Sequence, residues 1–189
     1  MYSREEGLME YYKEIKLKDG RPCIIRSGNE EDAEGVLENF IKTHTETDNL
    51  VSYPDEIHYT AEGERDLLRN KKESPLMVEL IAVVDGKIVG ISGVDPLGRS
   101  YKMAHRANLG ISVEKAYWGL GIGRTMTEAC IECARNAGYE QLELEVVSEN
   151  ESAIRLYESV GFKEFGRNPK GFRSRETGYQ ELISMRLEL

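Results

Sequence analysis

The sequence predicts a mixed α/β fold, a mostly antiparallel sheet flanked by about four helices. Three observations carry this expectation. An alternating apolar–polar stretch surrounds Asp19-Gly20 and two β-branched runs flank Asp85-Gly86, both pairs that favour tight hairpin turns. Other segments repeat their apolar residues at helical spacing. The two kinds of segment do not alternate regularly, as they would in a doubly wound parallel sheet.

The elements follow in chain order. "EIKLKDGRPCIIRS" reads as a hairpin about Asp19-Gly20, within an N-terminal extension of about residues 1–26. In "NEEDAEGVLENFIKTHTE", Asn29 is placed as an N-cap and acids fill the first turn. Val36, Leu37, Phe40 and Ile41 then give an apolar face. "TDNLVSYPDEIHY" has turn formers without a period and is expected to be a loop, and "TAEGERDLLRNKKE" a second short helix. "LMVELIAVVDGKIVGISGVDP" is the clearest pair, two β-branched runs about a type I′ turn, followed by a strand in "MAHRANLGISVEK". After a glycine cluster, Met126, Ala129, Cys130, Cys133, Ala134 and Ala137 mark one helical face, which Gly138 ends. "YEQLELEVV" is a strand, "NESAIRLYESV" a capped helix, and "GFKEF" and "GYQELISMRLEL" two closing strands. A long basic loop, residues 166–178, is expected between those two.

At 189 residues, with no repeat or linker-like stretch, a single domain spanning 1–189 is expected. The net charge of −9 argues against general nucleic-acid binding, which draws on Lys and Arg. It would suit a cationic ligand such as an amine, and equally it keeps a protein soluble. The start, "MYSREEGLMEYYKEI", lacks the apolar run of a signal peptide, and "PLMVELIAVV" is too short to span a bilayer. A cytoplasmic protein without membrane or nucleic-acid partners is the expectation.

Chemistry concentrates at "YWGLGIGRT", Tyr117 to Thr125. It is not a P-loop: Gly119 and Gly123 are too close, and Arg124 stands where that motif needs Lys. As a dinucleotide fingerprint it has Gly119 and Gly121, but Arg124 in the third glycine place, and it follows an antiparallel meander. A dinucleotide-dependent oxidoreductase is therefore the remotest reading. Glycines opening a helix do put consecutive backbone N–H groups at its positive end, an array suited to a pyrophosphate.

Taken with its neighbours, the loop resembles the GNAT family of N-acetyltransferases, whose acetyl-CoA loop reads Q/R-x-x-G-x-G/A. Gly121 and Gly123 fill the glycine places, and Trp118 departs from the usual Q/R. The family's next pattern, roughly L-x-V-x-x-x-N-x-x-A-x-x-L-Y-x-x-x-G-F, is matched by Leu144, Val146, Asn150, Ala153, Leu156, Tyr157, Gly161 and Phe162. The order of elements also matches over nearly the whole chain. The resemblance implies the GNAT fold, with its sheet splayed at the acetyl-CoA site, and acetyl transfer to a primary amine by direct attack on the thioester. The amine would belong to a small molecule or a protein N-terminus.

By the same resemblance, Ile111, Ser112 and Val113 would pair with the pantetheine arm as an added strand. Gly119, Leu120, Gly121, Ile122, Gly123, Arg124 and Thr125 would hold the pyrophosphate. Arg124 either contacts a phosphate or is a solvated first-turn residue. Asn150 would contact the pantetheine arm, serve as an N-cap, or both. Tyr157 holds the family position of the general acid, with a core tyrosine as the alternative. The strand before the loop often carries an acid preceding "LGISV"; here it is Asn108, which cannot act as a base. His105, Glu143 and Glu145 are base candidates by strand proximity, a water-mediated route stays open, and the base is unassigned. The absent acid leaves a non-catalytic acyl-CoA-binding sensor as the alternative function.

Other signals are weaker. Cys130-x-x-Cys133 lacks the second ligand pair of a zinc site and sits mid-helix, so core packing is expected. His44, His58 and His105 show no metal spacing, and no metal is expected. Lys170, Arg173 and Arg175 either select an acidic acceptor or keep a loop soluble. The sequence does not set the oligomeric state, a homodimer among the options.

Overall fold

The computed structural model describes residues 10–189, so residues 1–9 of the expected extension lie outside the description. Strands β1 (Tyr12–Lys16) and β2 (Pro22–Ser27) form the first hairpin, its turn requiring Gly20 at φ 94°. A short 3-10 turn, Glu30–Asp32, leads into α1 (Ala33–Glu46). Asn29 caps it reciprocally: its Oδ1 accepts from Glu31 N–H at 2.9 Å, and its own N–H donates to Asp32 at 2.9 Å. Helix α2 (Ala61–Lys72), capped by Thr60, follows the expected loop.

Strands β3 (Val78–Val84) and β4 (Lys87–Pro96) form the second hairpin. Asp85 at φ 50° and Gly86 at φ 78° have the two positive values of a type I′ turn. Then come β5 (Arg106–Val113), α3 (Ile122–Asn136), β6 (Gln141–Val147), α4 (Glu151–Ser159), β7 (Lys163–Ser174) and β8 (Gly178–Glu188). All eight strands form one sheet in the order β1-β2-β3-β4-β5-β6-β8-β7, antiparallel except for β5 against β6.

Each face of the sheet has its own core. Helices α3 and α4 cover a large cluster that includes Leu80, Ala82, Leu109, Met126, Leu142, Leu144 and Met185. Helices α1 and α2 cover a smaller one of Ala33, Val36, Leu68, Ile81, Ile88 and Ile91. The alternation of β4 between the faces depends on a bulge at Val89, where the register with β3 steps between Ala82 and Val83. Without that extra residue, Ile88 and Ile91 could not both face α1 and α2.

Two expectations are corrected. Ile41, expected on the apolar face of α1, is 41% exposed, because the buried face turns toward Asn39, Thr43 and His44, where the Asn39 amide nitrogen, the Thr43 hydroxyl and the His44 ring find partners. The basic stretch 166–178 is not a long loop, since β7 runs to Ser174 and only residues 175–177 turn. The sequence disguises this strand because Asn168 and Phe172 pair with Leu182 and Gln180, leaving Pro169, Lys170 and Gly171 in a wide bulge. β7 is an edge strand, the place where Pro and bulges are tolerated and discourage further pairing.

Gly171 packs onto Leu182, where an added methyl would lie 2.6 Å from Cδ1 and 2.7 Å from Cβ. Gly171→Ala is expected to destabilise the fold by about 1–3 kcal/mol through overpacking. A drop in melting temperature is the check; an unchanged value would mean that the bulge gives way freely.

Candidate active site

The site begins where two strands part. β5 and β6 pair in parallel for three residues only, Arg106 with Gln141, Ala107 with Leu142 and Asn108 with Glu143. Beyond that, β5 continues along β4 to Val113 and β6 along β8 to Val147. The last residues of β5 therefore face an open wedge. Residues alternate in which neighbour their backbone meets in an antiparallel ladder. The Glu114 N–H bonds to Val89, and the Arg106 carbonyl accepts from Leu97, so even-numbered residues address β4. Leu109, Ile111 and Val113 turn their N–H and C=O groups to the wedge. Ser112 instead turns its backbone to β4, and its hydroxyl accepts from Thr43 at 3.3 Å.

The glycine loop closes one end of this wedge. Gly119 and Gly121 have φ values of 76° and 103°, conformations that L side chains rarely adopt, and neither would meet an atom within 4 Å if given a Cβ. Gly123 is different: it is the second residue of α3, its φ lies outside the left-handed region, and an added Cβ would make only an ordinary contact with Leu156 Cδ1 at 3.4 Å. Gly121 is the N-cap and offers no side-chain acceptor. The first N–H of this turn to find a carbonyl is that of Thr125, on Gly121 at 3.1 Å. The N–H groups of Ile122, Gly123 and Arg124 thus remain free among the described residues, at the positive end of a 15-residue helix. This is a cradle for an anion, and its donor set fits a diphosphate.

The side chains around it are otherwise engaged. Arg124 donates to Ser159 Oγ at 2.7 Å, at the end of α4, and lies 3.6 Å from Glu128. The Thr125 hydroxyl donates back to Gly121 at 3.2 Å. Trp118, half exposed, donates its indole N–H to the Val113 carbonyl at 2.6 Å, so that carbonyl already accepts one hydrogen bond. No sequence motif signals this contact; it appears only when the loop folds back on the strand.

Asn150 caps α4, its Oδ1 accepting from Ala153 N–H at 3.3 Å, and its amide nitrogen makes no hydrogen bond among the described residues. Tyr157 is buried in the core under α3 and α4, with its ring 5.8 Å from that of Phe162. Its hydroxyl has no hydrogen-bond partner among the described residues. Burial, with a smaller contribution from Cys130, pushes the phenol up to about 12.

The opposite face of the wedge carries carboxylates. Since Leu142, Leu144 and Val146 pack under α3, Glu143 and Glu145 point to the α1 and α2 side. Glu143 is buried at the vertex, paired with Arg106 through two bonds of 2.7 Å and with Arg186 at 3.2 Å. The Arg106 hydrogen bonds hold its carboxyl below the usual range, so it is a poor proton acceptor. Glu145, one pleat further into the wedge, is exposed and meets Ser184 Oγ at 3.4 Å. Asn108 and Gly110 are exposed on this face too, and Gly110 has open space where a Cβ would be. His105 lies before β5, its carbonyl capping the start of β6 through Glu140 and Gln141.

The cysteines and basic residues resolve as follows. Cys130 and Cys133 are free and buried, and burial pushes both thiols up to about 12, as inert core residues require. Arg175 is bound to Asp55 at 2.8 Å and to Glu56 at 3.2 Å, and Lys170 sits 4.8 Å from the Tyr179 ring. The α1–α2 loop and the β7–β8 turn are in fact clasped together. Asp48 accepts from Ser174 Oγ at 2.6 Å, from Tyr53 OH at 2.9 Å and from Gln180 at 3.3 Å. Among the described residues no cluster of His, Cys, Asp or Glu is placed to hold a metal ion, and no helix is long and apolar enough to cross a membrane.

Comparison with known proteins adds the family. The sequence pattern of the acetyltransferase (GNAT) family matches residues 36–162. The chain is 35% identical over 88 residues to N-alpha-acetyltransferase RimI of Mycobacterium tuberculosis, a match covering 47% of this chain and 53% of that one. The chain thus spans about half, or less, of the length of the curated relatives it matches. A GNAT-family acetyltransferase from Streptococcus pneumoniae superposes with a TM-score of 0.85 at 27% identity, over 88% of this chain and 99% of that one. The yncA protein of Salmonella typhimurium, solved with its cofactor acetyl-CoA, has the same fold, with a TM-score of 0.79 at 18% identity over 88% and 94% of the two chains.

Glu143→Gln is expected to cost about 1–3 kcal/mol, because it leaves two buried-side guanidinium groups short of a charge partner. A depressed carboxyl stabilises the fold above its unfolded pKa, about 4.3, and that contribution disappears as pH falls through the lower folded value. Urea melts from pH 7 to pH 3 should therefore show a shallower acid loss in Glu143→Gln than in the parent.

Proposed function

The chain belongs to the acetyltransferase (GNAT) family, and from that premise we propose that it is an acetyl-CoA-dependent N-acetyltransferase acting on a primary amine. The observation that carries the reading is the wedge between β5 and β6, with an uncapped helix N-terminus at its end. The yncA neighbour with bound acetyl-CoA supports the choice of acyl donor. The resemblance to RimI supports a protein or peptide N-terminus as one class of acceptor, with small-molecule amines as the other. The described chain, first hairpin included, is read as one acetyltransferase domain.

Bound acetyl-CoA supplies the reaction with an activated thioester. The backbone N–H groups of Ile122, Gly123 and Arg124, approached without hindrance past Gly119 and Gly121, would hold its diphosphate. Ile111, the Val113 N–H and the Asn150 amide would orient the pantetheine arm, the Val113 carbonyl already accepting one hydrogen bond from Trp118. Glu145 is the base this reading favours among the three candidates, because Glu143 is neutralised by arginines and His105 sits outside the wedge. An amine entering from the α1 and α2 side would surrender its proton to Glu145 or to a water it holds. Tyr157, on the other face, would protonate the departing sulfur. With a phenol at about 12, Tyr157 stays protonated across the physiological range, as an acid must before it acts.

Two measurements test this reading. Thiol release from acetyl-CoA, followed over polyamines, amino acids and N-terminal peptides, should find at least one acceptor. Coenzyme A binding without transfer to any would favour the sensor. Tyr157→Phe and Glu145→Gln should each lower kcat by roughly 10²-fold or more while leaving acetyl-CoA affinity within about twofold. Unchanged turnover in either variant would remove that residue from the mechanism. Because Tyr157 loses its proton only near pH 12, any fall of kcat/KM between pH 8 and 10 should persist unchanged in Tyr157→Phe.

A further inference from the structure

The turn of the first hairpin, residues 17–21, lies outside the matched span of 36–162 but touches the glycine loop at two points. The Lys18 N–H donates to the Leu120 carbonyl, in the middle of the loop, at 3.2 Å. The Arg21 guanidinium stacks on the Tyr117 ring, at the start of the loop, 5.0 Å from its centroid. Asp19 aims that guanidinium through bonds of 2.9 Å to Nε and 2.7 Å to Nη2. Leu17 is buried in the main core, and its N–H closes the turn on the Arg21 carbonyl at 2.8 Å. The turn is therefore a fixed wall beside the cradle.

Charge gives the wall a use. The chain carries −9 overall, yet its proposed acyl donor is polyanionic, so cations at the cradle must offset a repulsive field. Three nearby cations are committed. Arg21 is paired with Asp19, Arg124 is held by Ser159 and Glu128, and Lys115 lies over the Trp118 ring at 5.9 Å. Lys18 is exposed, and its ammonium has no partner among the described residues. A lysine suits this task, being a compact charge on a flexible stem that can follow a phosphate.

We propose that the hairpin turn is a second wall of the acyl-CoA site, in which Lys18 binds a phosphate of the nucleotide end and Arg21, through Tyr117, positions the glycine loop. This inference rests on the acetyl-CoA reading above. It makes the first hairpin part of the donor site, although no family motif lies in it.

Calorimetric titration of the full chain with coenzyme A tests the proposal, using Lys18→Gln, Lys18→Arg and Arg21→Ala. Lys18→Gln is expected to raise the Kd roughly three- to tenfold and to flatten its rise with salt, while Lys18→Arg restores most of the affinity. Arg21→Ala should weaken coenzyme A binding without changing the KM for the acceptor. With acetyl-pantetheine, which lacks the nucleotide and its phosphates, kcat/KM should be the same in Lys18→Gln and the parent. Equal coenzyme A affinity and salt dependence in Lys18→Gln and the parent would overturn the role of Lys18 while leaving the acetyltransferase reading standing. An equal loss with coenzyme A and acetyl-pantetheine would also overturn it, by showing a general loosening. Failure of the parent itself to bind coenzyme A would remove both readings together.

Discussion

Two parallel strands that pair for three residues and then separate are the constraint on which the rest of the molecule depends. Backbone groups inside a protein are costly to leave unpaired, so such strands tend to zip together. Here each has a stronger commitment elsewhere, β5 to β4 along its whole length and β6 to β8. The vertex is pinned by Glu143, which joins Arg106 of β5 to Arg186 of β8 across β6. The far end of β5 is anchored by Glu114, fully buried, which accepts from Lys42 of α1 at 2.7 Å and from Lys87 of β4 at 2.9 Å. Burial alone would raise that carboxyl, but the two lysines hold it below its ordinary value. Its N–H meets the carbonyl of Val89, the bulge residue, so the bulge that sets the faces of β4 also ties down the end of β5.

The divergence gives the two faces of the sheet different work. On one side α3 and α4 cover the larger apolar core, and burial there pushes the Tyr157 phenol up. On the other, α1 and α2 leave Asn108, Gly110 and Glu145 uncovered, and the Asp48 clasp joins the α1–α2 loop to the β7–β8 turn. Tyr157 and Glu145, one buried and one exposed, therefore lie on opposite faces of a single sheet.

Much of this was legible in residue order. The Asp-Gly turns, the Asn29 and Asn150 caps and the β-branched runs of β3 and β4 are local, and each is where the pattern put it. The helical stripe from Met126 to Ala137 is buried throughout. Where the reading failed, a distant partner had overruled a local preference. Pro169 and Gly171 look like loop residues, but β8 draws them into an edge strand by tolerating a bulge. Ile41 looks like core, but Asn39 and Thr43 claim the buried face because Glu114 and Ser112 await them. Glu143 and Glu145 are equivalent in sequence, two acids on one face of a strand, and only the arginines across the sheet tell them apart.

The sequence by itself determined the elements, their order and the glycine-opened helix, because hairpin turns, caps and apolar periods act over a few residues. The tertiary structure alone decided that Trp118 takes the Val113 carbonyl, that Arg124 is held at the end of α4, and that Lys18 and Arg21 stand beside the glycine loop. The last of these contacts join residues about a hundred positions apart. Nothing in local chemistry specifies such partners until the sheet has brought its first hairpin alongside the start of α3.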